Sequence, residues 1–264
     1  MGYYFVSGAC GGMGRAVSKI LVENGHSVWG TDVAAYETAG ERLHIFRADV
    51  TKTAELEKVA ETVKKEAGTL DGIINLAGVY DLNSLIEMSE EDFVRDFDVN
   101  LFGAFRVNKV FAPVLAEKGR VVILTSELAP LPPLPFTGIY AITKAALDRY
   151  ADALRMEIQL TGKKVIVLRP GAVKTGMLPA SVKKLEDFCA STKTYKVSSE
   201  RFKKVVERVE SRNVPPEKIA SVIKKALEAK RPKNVYAINR NPLLLLYGAM
   251  PRRLRLWAIR KILS

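Results

Sequence analysis

Short apolar runs rich in Val, Ile, Leu and aromatic residues recur at 3–7, 27–31, 43–47, 72–76, 120–125, 164–169 and 234–238. Each is long enough for a strand buried on both faces, and between them the apolar period lengthens toward that of a helix. The intervening segments at about 13–24, 53–66, 89–117, 140–161 and 215–229 read as helices with one apolar face. Thr53 and Ser89 stand where helices should begin, the latter followed by Glu90, Glu91 and Asp92 in the first turn. Gly25 and Gly162 stand where helices should stop. This alternation predicts an α/β fold, a doubly wound parallel sheet of seven strands with helices on both faces.

At 264 residues and 48% hydrophobic content, the chain can bury a substantial core. No internal repeat or low-complexity linker divides it, so a single domain over 1–264 is expected. Two stretches interrupt the alternation. A basic amphipathic segment at 181–212 precedes Pro215-Pro216 and reads as a substrate-lid insert over about 176–214, at the sheet edge where ligands bind in this architecture. A basic amphipathic extension then occupies about 239–264.

Charge and cysteine content narrow the function. Nine of the net twelve positive charges lie after Glu228, where no acidic residue remains. Charge so localised describes a tail rather than a groove lined for a polyanion, so no nucleic-acid partner is expected. Cys10 and Cys189 are far apart in sequence, and His26 and His44 supply no metal-ligand spacing, so no metal and a reducing, cytoplasmic setting are expected. The apolar start Tyr3-Tyr4-Phe5-Val6 runs straight into glycines without a basic leader and reads as the first strand.

The glycines of Ser7-Gly8-Ala9-Cys10-Gly11-Gly12-Met13-Gly14 lie between the first strand and the first helix. Such a turn gathers unpaired N–H groups and the positive end of the helix dipole, which together accept a phosphate. Gly8 permits the turn, Gly12 the approach of a pyrophosphate and Gly14 the packing of helix on strand. Asp32 follows the second strand, where a carboxylate accepts hydrogen bonds from an adenosine ribose and repels a 2′-phosphate. NAD is favoured over NADP on this ground, while Arg15 offers a competing attraction for a 2′-phosphate.

Tyr140 and Lys144 lie one helical turn apart on one face, where the ammonium favours the phenolate. A free tyrosine titrates near ~10, and lowering it to about 7.5 takes roughly 3.4 kcal/mol of differential stabilisation. One cation is too little for that, so an oxidised nicotinamide and a neighbouring hydroxyl must share the task. Ser126 ends the strand Val121–Thr125 and can donate to a substrate oxygen. Asn100 lies in a helix from which its amide could hold a water beside Lys144.

With these residues in place, the chain resembles the short-chain dehydrogenases/reductases over nearly its whole length. The resemblance rests on Ser7-Gly8-x-x-x-Gly12-x-Gly14, Asp49-Val50, Asn75-x-Ala77-Gly78, Asn100, Ser126, Tyr140-x-x-x-Lys144 and Pro170-Gly171-x-Val173-x-Thr175, all in the family's order. It implies a Rossmann-type fold, with Tyr140 as general acid/base and Ser126 polarising the substrate oxygen. Lys144 would bind the nicotinamide ribose and lower the Tyr140 pKa, and Asn100 would support a relay water. Asp49 and Val50 would flank the adenine, Asn75 and Ala77 line the cofactor, and Val173 and Thr175 hold the carboxamide. Ser7, Met13, Gly78, Pro170 and Gly171 complete the implied cofactor site. Three departures stand out: Ser7 for the usual Thr, Leu76 for a second Asn, and Glu127 where a small residue is common. Glu127 is expected at the substrate mouth.

The loop Leu128–Phe136 is apolar and carries four prolines, a wall suited to a bulky hydrophobic alcohol. The C-terminal segment, with Leu243–Leu246 and then Arg-rich 252–263, is too short and too charged to span a bilayer. It can lie in a membrane interface, or its apolar side can pack over the cleft or a sister subunit. Weaker likeness in this region points to the hydroxysteroid and retinol dehydrogenase branch. The expected function is thus NAD-dependent hydride transfer on a secondary alcohol or ketone of a hydroxysteroid-like, lipophilic skeleton. Alternatives are a 3-oxoacyl reductase, a polyol dehydrogenase, or a redox-inactive NAD-binding regulator. The family's habit implies a homodimer or homotetramer through residues near 101–117 and 140–160.

Overall fold

The computed structural model describes residues 1–34, 38–210 and 212–264. Seven parallel strands form its sheet: β1 (Tyr3–Ser7), β2 (Ser27–Asp32), β4 (Leu43–Arg47), β5 (Leu70–Asn75), β6 (Leu115–Leu124), β7 (Lys164–Pro170) and β8 (Val235–Ile238). A two-residue strand, β3 (Thr38–Ala39), adds antiparallel to β4 at one edge, which the apolar pattern did not announce. The order is β3-β4-β2-β1-β5-β6-β7-β8, so the winding reverses at β1. In such sheets the crevice beyond the strand ends at the reversal is the ligand site.

Successive strand residues feed opposite faces. Val6, Ile74 and Val122 pack with Leu21 of α1 (Gly12–Glu23) and Ile223 of α8 (Pro216–Glu228). Their neighbours Phe5, Ile73 and Ile123 pack on the other side. There they meet Leu56 of α2 (Thr53–Ala67), Phe111 of α4 (Gly103–Phe111) and Leu147 of α5 (Gly138–Ile158).

The helix expected over 89–117 is not continuous. After α3 (Glu90–Phe97), capped by the Ser89 hydroxyl accepting from Asp92 N at 3.1 Å, a π-helical turn spans Asp98–Phe102 before α4. Pro113, without an N–H, then ends the helix in a 3₁₀ turn at Ala112–Val114, and β6 begins at Leu115 rather than near 120.

The insert folds as two helices, α6 (Met177–Ser191) and α7 (Lys196–Glu210). Phe188 and Phe202 on them meet Leu82, Phe136 and Leu263 in a third apolar cluster. The chain ends in α9 (Pro242–Ala249) and α10 (Arg252–Leu263), the latter lying against α7. Among the described residues, no helix is long and apolar enough to cross a membrane.

Candidate active site

A groove runs along the ends of β1, β2 and β5. It is lined by Gly8, Gly12, Met13 and Gly14, by Asp32, Asp49 and Val50, and by Ala77, Gly78 and Thr175. Gly8 has φ +71°, and a Cβ on it would lie 2.7 Å from Ala77 N, so only glycine turns the chain there. A Cβ on Gly14 would lie 2.1 Å from Gly8 O, which shows how closely α1 approaches the turn. No side chain caps α1 and its first turn holds no acid, so its N–H groups are open to an anionic ligand. The Asp32 carboxylate accepts from Cys10 N at 3.0 Å and Ala34 N at 3.0 Å, which fixes it at the groove's far end. Arg15 also lines the groove, its Nε donating to Cys10 O at 2.7 Å. The donors, the glycine turn and the carboxylate together fit a dinucleotide.

A second pocket opens beside it, and Met13, Leu76, Gly78, Val79, Thr175 and Met177 belong to both walls. Ser126, Tyr140 and Lys144 converge in this second pocket. The Ser126 hydroxyl accepts from Leu128 N at 3.1 Å, which leaves its hydrogen to donate, and it bonds the Tyr140 phenol. Burial pushes the Tyr140 phenol up to about 12, against the Ser126 hydrogen bond and with help from the nearby Glu127 charge. Lys144 stands 5.8 Å from the Tyr140 ring centroid and its ammonium donates to Leu124 O at 3.2 Å. Lys144, only 5% exposed, is itself brought down to about 8 by burial.

Asn100 is fully buried within the π-helical turn. Its amide donates to Val79 O and Thr143 Oγ1, each at 3.0 Å, and its Oδ1 accepts from Val79 N at 2.8 Å. Both amide hydrogens are therefore committed, so a water held by this amide beside Lys144 would donate to Oδ1. A Cβ on Gly78 would lie 2.9 Å from Asn100 Oδ1 and 3.4 Å from Lys144 Nζ, so the two residues do border one space.

Asn75 and Ser7 make bracing hydrogen bonds at the strand ends beside the groove. The Asn75 amide, buried, donates to Asn108 Oδ1 at 2.9 Å and Val122 O at 3.3 Å, bracing β5 to α4 and β6. The Ser7 hydroxyl accepts from Leu76 N at 3.3 Å and Ala77 N at 3.5 Å, holding β1 to the end of β5. Pro170, Gly171 and Val173 line the second pocket rather than the groove.

That pocket's wall is mostly apolar, with Leu134 from the proline loop, Phe202, Val205, Val206 and Val209 from α7, and Leu244 from α9. Glu127 also lines it, but is only 6% exposed. Burial raises its carboxyl pKa, opposed by the Asn241 N–H and by Arg240. Tyr80, which no sequence motif singled out, sets its ring 4.4 Å from that of Tyr140, edge to face. Its signal was weak, an aromatic two residues beyond Gly78.

A family model described as short chain dehydrogenase matches residues 3–186. A 3-ketodihydrosphingosine reductase from Bacteroides thetaiotaomicron is 27% identical over 229 residues, covering 86% of this chain and 84% of the relative. A 17-beta-hydroxysteroid dehydrogenase type 6 from Mus musculus is 32% identical, covering 68% of this chain and 59% of the relative. A solved short chain dehydrogenase from Burkholderia cenocepacia, in complex with NADP, superposes with TM-score 0.74 at 20% identity. That match covers 100% of this chain and 98% of that one. Since the family model spans most of the chain and the fold agrees with it throughout, the protein belongs to the short-chain dehydrogenases, a family of nicotinamide-dependent oxidoreductases.

Proposed function

We propose that the protein is an NAD(H)-dependent oxidoreductase that interconverts a secondary alcohol and its ketone on a hydroxysteroid-like or similarly lipophilic skeleton. One observation carries the reading: Ser126, Tyr140 and Lys144 meet in an apolar pocket that shares a wall with the glycine-turn groove.

When bound, the nicotinamide supplies or accepts the hydride. Ser126, its oxygen engaged by Leu128 N, donates to the substrate oxygen and holds it beside Tyr140. In reduction, the neutral phenol of Tyr140 gives its proton to that oxygen as the carbonyl carbon gains a C–H bond. In oxidation the phenolate takes the hydroxyl proton while the carbinol C–H bond breaks with its electron pair. Lys144 has three donor hydrogens, one spent on Leu124 O, leaving two for a ribose hydroxyl and for support of the phenolate. Asn100 positions the loop at Val79 beneath them.

Asp32 supports NAD, since a 2′-phosphate at the groove's end would face a fixed carboxylate. The apolar wall from α7 and α9 supports a lipophilic substrate. The names of the hydroxysteroid and ketodihydrosphingosine relatives point the same way. The test is nicotinamide absorbance with NAD(H) and NADP(H) against hydroxysteroids, long-chain ketones and polyols, with Tyr140→Phe as control. Turnover of lipophilic substrates with NAD(H), abolished in the control, is expected. NADP(H) preference would overturn the Asp32 argument alone, and silence throughout would overturn the enzyme.

We further propose a homodimer or homotetramer through residues near 101–117 and 140–160. Phe102 and Phe105, 46% and 45% exposed, and Met156, 65% exposed, support this. Sedimentation as a monomer at micromolar concentration would refute it.

A further inference from the structure

We propose that α9 and α10 form a docking surface for an anionic bilayer and hold the wall of the substrate pocket against it. This rests on the lipophilic-substrate reading for its purpose, though not for its geometry.

The two helices leave large apolar side chains in solvent: Leu243 and Leu246 on α9 are 59% and 64% exposed. On α10, Leu254, Leu256, Trp257 and Ile262 are 45%, 62%, 59% and 55% exposed. Side chains of this size gathered on one short segment mark a contact surface. Leu254, Trp257 and Lys261 follow at helical spacing and share one side of α10, which sets an exposed cation beside two exposed apolar side chains. Arg252, Arg253, Arg255, Arg260 and Lys261 give α10 five positive charges and it carries no acidic residue of its own. A helix with this composition seats its apolar groups at the headgroup boundary while its cations meet anionic lipid.

The surface is joined to the pocket by packing and a hydrogen bond. Leu263 is buried with Phe188 and Phe202 of the lid. The Arg255 guanidinium stands 5.7 Å from the Tyr247 ring, and Tyr247 Oη donates to Pro133 O at 3.1 Å on the proline loop. Leu244, on the helix that exposes Leu243 and Leu246, lines the substrate pocket itself. A substrate dissolved in lipid would therefore meet the protein beside its binding site. A second copy is a poorer occupant, since a two-fold interface would set this cationic surface against itself.

The chain has two tryptophans, and Trp29 is only 3% exposed, so a change in emission on adding vesicles reports Trp257. Phosphatidylcholine vesicles containing phosphatidylserine should shift that emission to the blue and co-sediment the protein. Pure phosphatidylcholine should do so weakly, and salt should reverse the binding. The double variant Arg252→Glu, Arg253→Glu should lose at least about tenfold in vesicle affinity while reducing a water-soluble ketone at the unaltered rate. Absence of binding to anionic vesicles, or concentration-dependent self-association that shields Trp257, would overturn the proposal. Vesicle binding without turnover of any lipophilic ketone would sink the substrate reading and leave the docking surface standing. Turnover without vesicle binding would do the reverse.

Discussion

The Glu127 carboxylate accepts the backbone N–H of Asn241 across 2.7 Å, which ties the residue beside Ser126 to the start of α9. One side chain thus joins the catalytic strand end to the C-terminal helices. Its charge also opposes formation of the Tyr140 phenolate.

Glu127→Ala leaves the buried Asn241 N–H without an acceptor and should cost about 1–3 kcal/mol of stability, read by denaturant midpoint. Glu127→Gln keeps an acceptor and removes the charge. It should nearly preserve stability while moving the rising limb of the alcohol-oxidation pH profile to lower pH. An unmoved profile would show that Glu127 acts only as a tether.

Burial brings Lys144 down to about 8 and pushes Tyr140 up to about 12. Reduction needs the ammonium and the neutral phenol, so kcat/KM for ketone reduction should fall as pH rises through about 8. Tyr140→Phe should lower kcat by roughly 10²–10⁴-fold with cofactor binding retained. Lys144→Met should lose the inflection along with most of the rate. Persistence of the inflection in that variant would assign it to another group.

The Asn75 amide spends its hydrogens on Asn108 Oδ1 and Val122 O, bracing the sheet. Asn75→Ala should therefore lower stability by about 1–3 kcal/mol and leave the cofactor KM nearly unchanged. A large rise in KM with intact stability would return Asn75 to the cofactor site.

Asp96, fully buried, accepts from Arg95 Nη2 at 3.1 Å through one oxygen, while its other oxygen has no partner. Burial, with added repulsion from Asp81, raises its pKa to about 6. An acid raised on folding binds its proton more tightly in the folded state. Its contribution is complete below the unfolded value near ~4 and is lost as pH rises through that raised value. Asp96→Asn should flatten the decline in stability between about pH 4 and pH 6, a change on the order of 2 kcal/mol by chemical denaturation.

The parallel sheet was legible because its strands are buried on both faces, which writes each as a continuous apolar run. The glycine turn was legible because Gly8 and Gly14 meet backbone atoms a side chain would strike. The π-helical turn at Asn100 was not, because it depends on partners at Val79 and Thr143, distant in sequence. Nor was β3, since two residues carry no period.

The sequence by itself determined the run of the seven parallel strands and the residue types at the glycine turn and at Ser126, Tyr140 and Lys144, because periodicity and residue type are local properties. Only the tertiary structure decided that Asn75 braces, that Glu127 reaches Asn241, and that burial raises Tyr140 while lowering Lys144. Each of these depends on which distant groups share a space and how much water they exclude, and neither quantity is written along the chain.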